Sequence, residues 1–431
     1  MFGLSKEWLF HEGKLIPSAI VLSHAEQAAR LAATCPDALP AAVVAGDPCY
    51  DRLMASLHHR PRYRKALGLR KSQQLILISS TWGSGSLFGR YPRLAATLLA
   101  TLPIDEFRVA LALHPNAWHA HGPGQVDAWL ADARRAGLLV LPPNEGWRAA
   151  VVAADAVFGD HGSVSYYAAA LGRPVILDQA GRDLVSPESP VARLLSAAVT
   201  YDPRSEAEAL LADARKAREH TEHTARAWVS SHPGSSLSLL RRTMYGLMGA
   251  EEPDQPPVVE AAPLPVTDPV PGHPAMWASV DEDFEGRPSV RRVPAAVSGS
   301  STQQGISGFL MAWDSEPDIR LAELADIVVC PADELPEDGD QWCLRVLRHR
   351  AAPRAAAYYD RKGCVLHRRS GARVVCLLEA SEADFDPALL PTVLYHYLFR
   401  SARGLPSYGK PVQLEVRAGA ENRMTVRVVV T

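Results

Sequence analysis

The chain runs to 431 residues, 47% of them hydrophobic and 22% charged, with a formal net charge of -3 at pH 7. Such a length predicts two or three domains, and the near-neutral balance excludes bulk attraction to nucleic acid or anionic lipid. The six cysteines (Cys35, Cys49, Cys330, Cys343, Cys364 and Cys376) contain no CxxC pair, which argues against a zinc site or a dense disulfide framework and for a reducing compartment.

The opening residues, MFGLSKEWLFHEGKLIP, lack a basic start followed by an apolar run. No later segment supplies the roughly 18 uninterrupted apolar residues of a membrane span. A cytoplasmic protein is expected, with contact at the inner face of the membrane left open. From Ala41 to about His232 one pattern recurs: an aliphatic run, a polar or glycine-containing loop, then an amphipathic helical stretch. Strands are predicted at Ala41–Gly46, Leu75–Ser80, Arg108–Leu113, Leu138–Leu141, Ala156–Gly159 and Pro174–Leu177, with helices at PRLAATLLATL, VDAWLADARRAG, EGWRAAVVAA and SYYAAALG. Strands separated by a helix run parallel and are apolar throughout when both faces are covered. Residues 41–250 therefore read as a doubly wound α/β domain, with ligands expected where loops leave the carboxyl ends of the strands. The charged stretch Ser205–Ser231 is predicted to be a surface helix closing that domain.

Residues 251–275 are Pro-rich and acidic, cannot bury enough to fold alone, and read as a linker. Beyond them, 276–431 carry strand-like FLMAW, ADIVVC, ARVVCLLEA, VQLEVRAG and MTVRVVV and the helix-like DPALLPTVLYHYLFRSARG. This predicts a second, smaller α/β or α+β domain of unassigned role. Within it, WCLRVLRHRAAPRAAAYYDRKG is read as a solvated helix face, Ser298–Gly305 as a flexible turn and His396 as core packing.

Three polar loops converge on the carboxyl edge of the predicted sheet. STWGSGSLFGR follows one strand, HPNAWHAHGPG another, and GDHGSVS leads from a third into a helix beginning near Ser165. The first N–H groups of a helix lack intrahelical partners and carry part of the helix dipole, so an anion fits there. Gly162 would let a phosphate approach the backbone, and Ser163 and Ser165 could donate hydroxyls to it. Asp160 suits ribose or glycerol hydroxyls. The bland alternative is a plain helix cap, with Asp160 and His161 satisfying loop N–H groups. The proline after His114 holds that residue extended and aims its imidazole out of the strand end, for phosphate binding or proton transfer. His119 and His121 lack a third metal ligand and read as solvated loop; Glu145 and Arg148 read as a helix brace.

These residues, in this order, resemble the carboxy-terminal nucleotide-binding half of the CDP-glycerol glycerophosphotransferase family, the teichoic-acid polymerases and primases of GT-B fold. The likeness rests on GDPCYDRL (Gly46–Leu53), SSTW (Ser79–Trp82), LHPN (Leu113–Asn116) and ADAVFGDHGSVSYYAAALGRPVIL (Ala154–Leu177), over roughly Leu15–Gln179. The resemblance implies a nucleotide-diphosphate donor such as CDP-glycerol held by Thr81, Trp82, His114, Asp160, His161, Gly162, Ser163 and Ser165, with His114 in the catalytic role and no metal or cofactor. His161 and Gly162 depart from the family's Tyr and Ser. Residues 1–40 read as the last segment of an amino-terminal GT-B domain, and neither His11 nor His24 stands in the HGxxxK-like context that supplies the family's general base. Either the start codon is placed too far downstream or the acceptor domain is lost. Three functions follow as expectations: a transferase of CDP-alcohol or nucleotide-sugar type, a catalytically incomplete nucleotide-binding or regulatory protein, or a GT-B-like enzyme related to nucleotide-sugar epimerases.

Overall fold

The computed structural model describes residues 4–267, 273–282, 287–298, 308–381, 384–400, 407–418 and 422–431. Strands β1 (Phe10–His11) and β2 (Lys14–Leu15) form a small antiparallel hairpin, and β3 (Ile20–Leu22) and β4 (Ala42–Val44) pair in parallel as a separate two-stranded sheet, with the Ala25–Thr34 helix between them in sequence. The strand expected at Ala41–Gly46 thus lies outside the main sheet. Its three residues are only partly buried, whereas a central parallel strand needs an apolar run covered on both faces.

The main sheet has that property. Strands β5 (Gln74–Ser80), β6 (Phe107–Leu113), β7 (Leu139–Val140), β8 (Ala156–Gly159), β9 (Val175–Leu177) and β10 (Val199–Thr200) lie in the order β10-β9-β8-β5-β6-β7, every neighbouring pair parallel. The order reverses between β5 and β8, the arrangement of a doubly wound dinucleotide-type sheet. β10 is not legible because its half-buried Val199 and exposed Thr200 lack the buried apolar run that marks the other strands. Helix Ala207–Val229 packs along the sheet domain as expected, burying Leu210, Leu211, Ala214, Thr221, Ala225 and Val229.

Residues 251–267 hold no helix or strand, yet they are docked on the sheet domain. Tyr63 Oη donates to the Ala262 carbonyl at 2.6 Å, and the Ala262 N–H donates to Ser56 Oγ at 2.9 Å. A segment unable to fold alone can still be ordered by hydrogen bonds to a finished surface.

The C-terminal region departs furthest from expectation. Strands β11 (Met276–Glu282), β12 (Pro288–Pro294), β13 (Gly308–Trp313), β14 (Ile327–Pro331), β15 (Ala355–Tyr359), β16 (Gly363–Arg368), β17 (Arg373–Ser381), β18 (Val412–Ala418) and β19 (Asn422–Val430) close into one barrel in the order β11-β12-β18-β19-β17-β16-β15-β14-β13. Along β13, Phe309, Met311 and Trp313 pack into the interior cluster, and Leu310 and Ala312 face outwards against Trp342 and Cys343 of the Gly339–His349 helix. The predicted helix is Leu389–Phe399, and it belongs to the interior: Leu389, Leu390, Val393, Leu394, Tyr395, Tyr397 and Leu398 are all buried in the same cluster as the inward strand residues. A helix apolar on every side is a core element. The basic run is not one helix face but a helix end, a turn and β15, whose AAAYY residues are nearly all buried. Of the Ser298–Gly305 stretch, residues 299–305 lie outside the described residues.

Barrel and sheet domain meet at Arg292. This fully buried guanidinium donates to Asp105 Oδ2 and Oδ1 at 2.9 and 2.6 Å and to Asp386 Oδ2 at 2.8 Å, and its carbonyl accepts from Ile104 N at 2.9 Å. Among the described residues no helix is long and apolar enough to cross a membrane.

Candidate functional site

The point where strand order reverses is occupied by Asp160, just past β8. Its side chain is buried and accepts five hydrogen bonds: Oδ2 from Ser80 Oγ (3.2 Å), Thr81 N (2.9 Å), Thr81 Oγ1 (2.8 Å) and Leu87 N (3.0 Å), and Oδ1 from Gly162 N (3.1 Å). Its carboxylate ties the loop after β5 to the loop after β8. The ribose or glycerol contact expected of it is not what this geometry offers, because both oxygens are already engaged by donors of the protein.

Helix Ser163–Ala170 begins two positions before the expected start, with Gly162 as its extended N-cap residue. Gly162 needs no left-handed backbone there; a β-carbon on it would come within 2.8 Å of Thr81 Cγ2, so close loop packing is what demands glycine. Ser163 is exposed at the helix start, beside the unpaired amides of the first turn. Ser165 does not join it. Its Oγ is buried in the space a side chain on Gly159 would fill, with no partner among the described residues, so it cannot reach a ligand at the helix mouth. His161 also turns away: its ring fills the space of a side chain on Gly181, in the Ala180–Leu184 turn.

His114 ends β6 and caps a helix rather than a loop, since Pro115–His121 is helical. The Asn116 N–H donates to His114 Nδ1 at 3.1 Å, which leaves the proton of a neutral ring on Nε2. Burial lowers its pKa from the ordinary histidine value, against an opposing pull from the Asp160 carboxylate. The neutral Nε2–H donor is therefore the resting form near neutral pH. Trp82, about half exposed, lies over the imidazole with ring centroids 4.2 Å apart. His119 and His121 lie on the same short helix, the latter edge-on to Trp129.

Thr81, His114, Gly162 and Ser163 line one cleft of about 300 Å³ at the carboxyl edge of the sheet; Pro142, Pro143, Asn144 and Trp147 form its other wall. Of the predicted residues the structure thus gathers these four, with the Trp82 ring tilted against that of His114, and leaves Ser165, His161 and the Asp160 carboxylate behind. Asn144 and Trp147 were missed, although the PPN turn after β7 obeys the same strand-end rule. Arg148, 3.1 Å from Glu145, serves as the expected brace and also covers the Trp147 ring. Ser163 further borders a second cleft of about 550 Å³ whose walls include Glu26, Arg30, Asp47, Tyr167 and Trp228. That cleft was not readable because its walls come from residues remote in sequence. There Arg30 pairs with Glu26 at 2.6 Å, and Tyr167 donates to Asp47 Oδ2 at 2.8 Å.

No protein-family model and no curated protein matches the chain. Among solved structures, it is similar to the wall teichoic acid polymerase TagF, at 13% identity and a TM-score of 0.35 over 53% of this chain and 59% of that one. It is similar also to WaaG, a glycosyltransferase involved in lipopolysaccharide biosynthesis (18% identity, TM-score 0.32, 57% of this chain and 66% of that one). A third is the UDP-GlcNAc 2-epimerase from Neisseria meningitidis bound to UDP-GlcNAc (15%, TM-score 0.34, 53% and 61%). The chain spans less than two thirds of the length of each.

Proposed function

We propose that the chain binds a nucleotide-diphosphate donor, a CDP-alcohol such as CDP-glycerol or a nucleotide sugar, in the 300 Å³ cleft, as the donor half of a GT-B-type transferase. The observation that carries this reading is that His114 and the exposed helix start at Ser163 line the same cleft, beside the point where strand order reverses. Such switch points are where doubly wound sheets take their ligands. The diphosphate lies against the first-turn amides and Ser163 Oγ, and His114 Nε2–H donates to it as well. An acceptor hydroxyl attacks the β-phosphorus of a CDP-alcohol, breaking its bond to the bridging oxygen and releasing CMP, or the anomeric carbon of a nucleotide sugar, breaking the C1–O bond and releasing the nucleoside diphosphate. Its proton goes to a base outside the cleft, and fixed amides with a neutral donor stabilise the charge on the leaving group without reorganising. In this scheme His114 is a hydrogen-bond donor rather than a proton acceptor.

A second reading has its own support. Among the described residues His114 is the one titratable side chain lining the donor cleft, so in this scheme a base for the acceptor hydroxyl comes from elsewhere, and a nucleotide-binding or regulatory protein needs none. Calorimetry with CDP, CDP-glycerol and UDP-sugars tests both. Binding is expected, weakened by Ser163→Ala and by His114→Ala by about 1.5–3 kcal/mol each, roughly 10- to 150-fold. Binding without any transfer to added acceptors favours the second reading, and no binding of any of these compounds rejects both.

A further inference from the structure

On the outer face of the barrel, strand register sets two like charges side by side. Arg417 of β18 lies directly opposite Arg423 of β19. Their neighbours Leu414, Val416, Met424 and Val426 are buried, so the arginines belong to the outward row. Like charges facing one another across a sheet are destabilising, and among the described residues neither arginine makes an ion pair or hydrogen bond. Arg287 stands on the same face, 3.9 Å from Glu415, which is paired in register with Thr425. Arg287, Arg417, Arg423, Glu415, Ser381 and Thr425 line a cleft of about 180 Å³. Among the described residues that line it, three are arginines and one is a carboxylate, and the opposed Arg417 and Arg423 are the two without a side-chain partner.

We propose that this cleft binds a phosphate group, held between Arg417 and Arg423. Opposed residues of an antiparallel pair have β-carbons about 5 Å apart, so two guanidinium forks can bracket one tetrahedral oxyanion, and Arg forks match phosphate oxygens two at a time. The anion converts a repulsive pair into a bridged one. Glu415, in contact with Arg287, keeps the anion at the Arg417–Arg423 end. The site lies on the barrel and stands whether or not the sheet domain takes a nucleotide. A free phosphate monoester and the headgroup of an acidic lipid share this chemistry.

Arginine labelling of the full chain with p-hydroxyphenylglyoxal, mapped by peptide mass spectrometry, reads the site directly. Inorganic phosphate should slow labelling of Arg417 and Arg423 at least fivefold relative to exposed Arg242. Equal slowing by chloride at matched ionic strength, or no slowing, overturns the proposal. In the Arg423→Gln variant, Arg417 should lose its protection by phosphate; protection at the wild-type level overturns the two-arginine site, and a circular dichroism spectrum matching wild type shows that the variant has folded. In a parallel arm, vesicles of phosphatidic acid in phosphatidylcholine that protect both arginines more strongly than an equal concentration of free phosphate identify a lipid headgroup. Protection by free phosphate alone identifies a soluble phosphomonoester.

Discussion

Asp160 and His114 show how far a side chain's identity predicts its work. An acid followed by Gly and Ser at a strand end is readable as the centre of a candidate site; that its oxygens serve neighbouring loops is not, because the five donors come from Ser80, Thr81, Leu87 and Gly162, and only the last is close in sequence. Asp160→Asn replaces an acceptor oxygen by an amide group, leaving buried donors unsatisfied at about 1–3 kcal/mol each. The variant is expected to melt earlier and to lose the proposed nucleotide binding together. Weakened binding with unchanged melting would restore the ribose contact instead. For His114 the depressed pKa sets a sign. The unfolded state, with the ordinary pKa near ~6.5, takes up the proton first as pH falls, so the folded state loses stability as pH falls through that value and regains it above. Wild type should therefore lose melting temperature relative to His114→Gln between pH 8 and pH 5.5. An unchanged difference would mean that the imidazole is not desolvated as described.

Individual elements were legible in proportion to their length and the coverage of their faces. β5, β6, β8 and β9 are apolar runs buried almost throughout, and the chain announces them by composition alone. In the C-terminal region β13, β14, β17, β18 and β19 are readable too, as is the helix at Leu389–Phe399, whereas β11, β12, β15 and β16 are not. What could not be read was closure, since it depends on pairings such as Ser289 with Arg417 that join distant parts of the chain. The helix's all-round apolarity was the available signal, because an amphipathic surface helix would have shown a polar face. Leu394 is fully buried in the barrel interior, so Leu394→Ala should destabilise the barrel by about 2–5 kcal/mol through lost burial and the cavity left behind. The exposed Leu324, changed to Ala, should stay within about 0.5 kcal/mol. Urea titration of both variants distinguishes them, and equal midpoints would argue against an interior position.

At the scale of the whole molecule, the two domains are held by charge in a dry place. Burial opposes the cation on Arg292, and the carboxylates of Asp105 and Asp386 outweigh it, holding its pKa above the ordinary arginine value. Removing one member of such a cluster strands the others. Arg292→Leu should cost about 3–5 kcal/mol, and calorimetric scans should then resolve separate melting of barrel and sheet domain where a single transition is expected of wild type. Replacing Asp105 by Leu in the same chain should recover part of the loss, since a nonpolar substitute for an ion pair is often tolerated. Unaltered scans for the single variant would show that the seam is held by other contacts. The docked segment through Ala262 belongs to this scale as well: its composition marks it as a connection, and only the folded surface around Ser56 and Tyr63 makes it an ordered one.

One property of the ring concerns the nascent chain. The Leu389–Phe399 helix is synthesised before β18 and β19, yet β18 supplies the link to β12 and β19 the link to β17. On the ribosome the sheet domain is complete while its companion is still an open trough with a greasy rod lying in it, a state that invites aggregation and chaperone attention. Translation interrupted after Phe399 and before β18 is therefore expected to release a species more prone to aggregation than one stopped at residue 250, and quality control should treat the two differently.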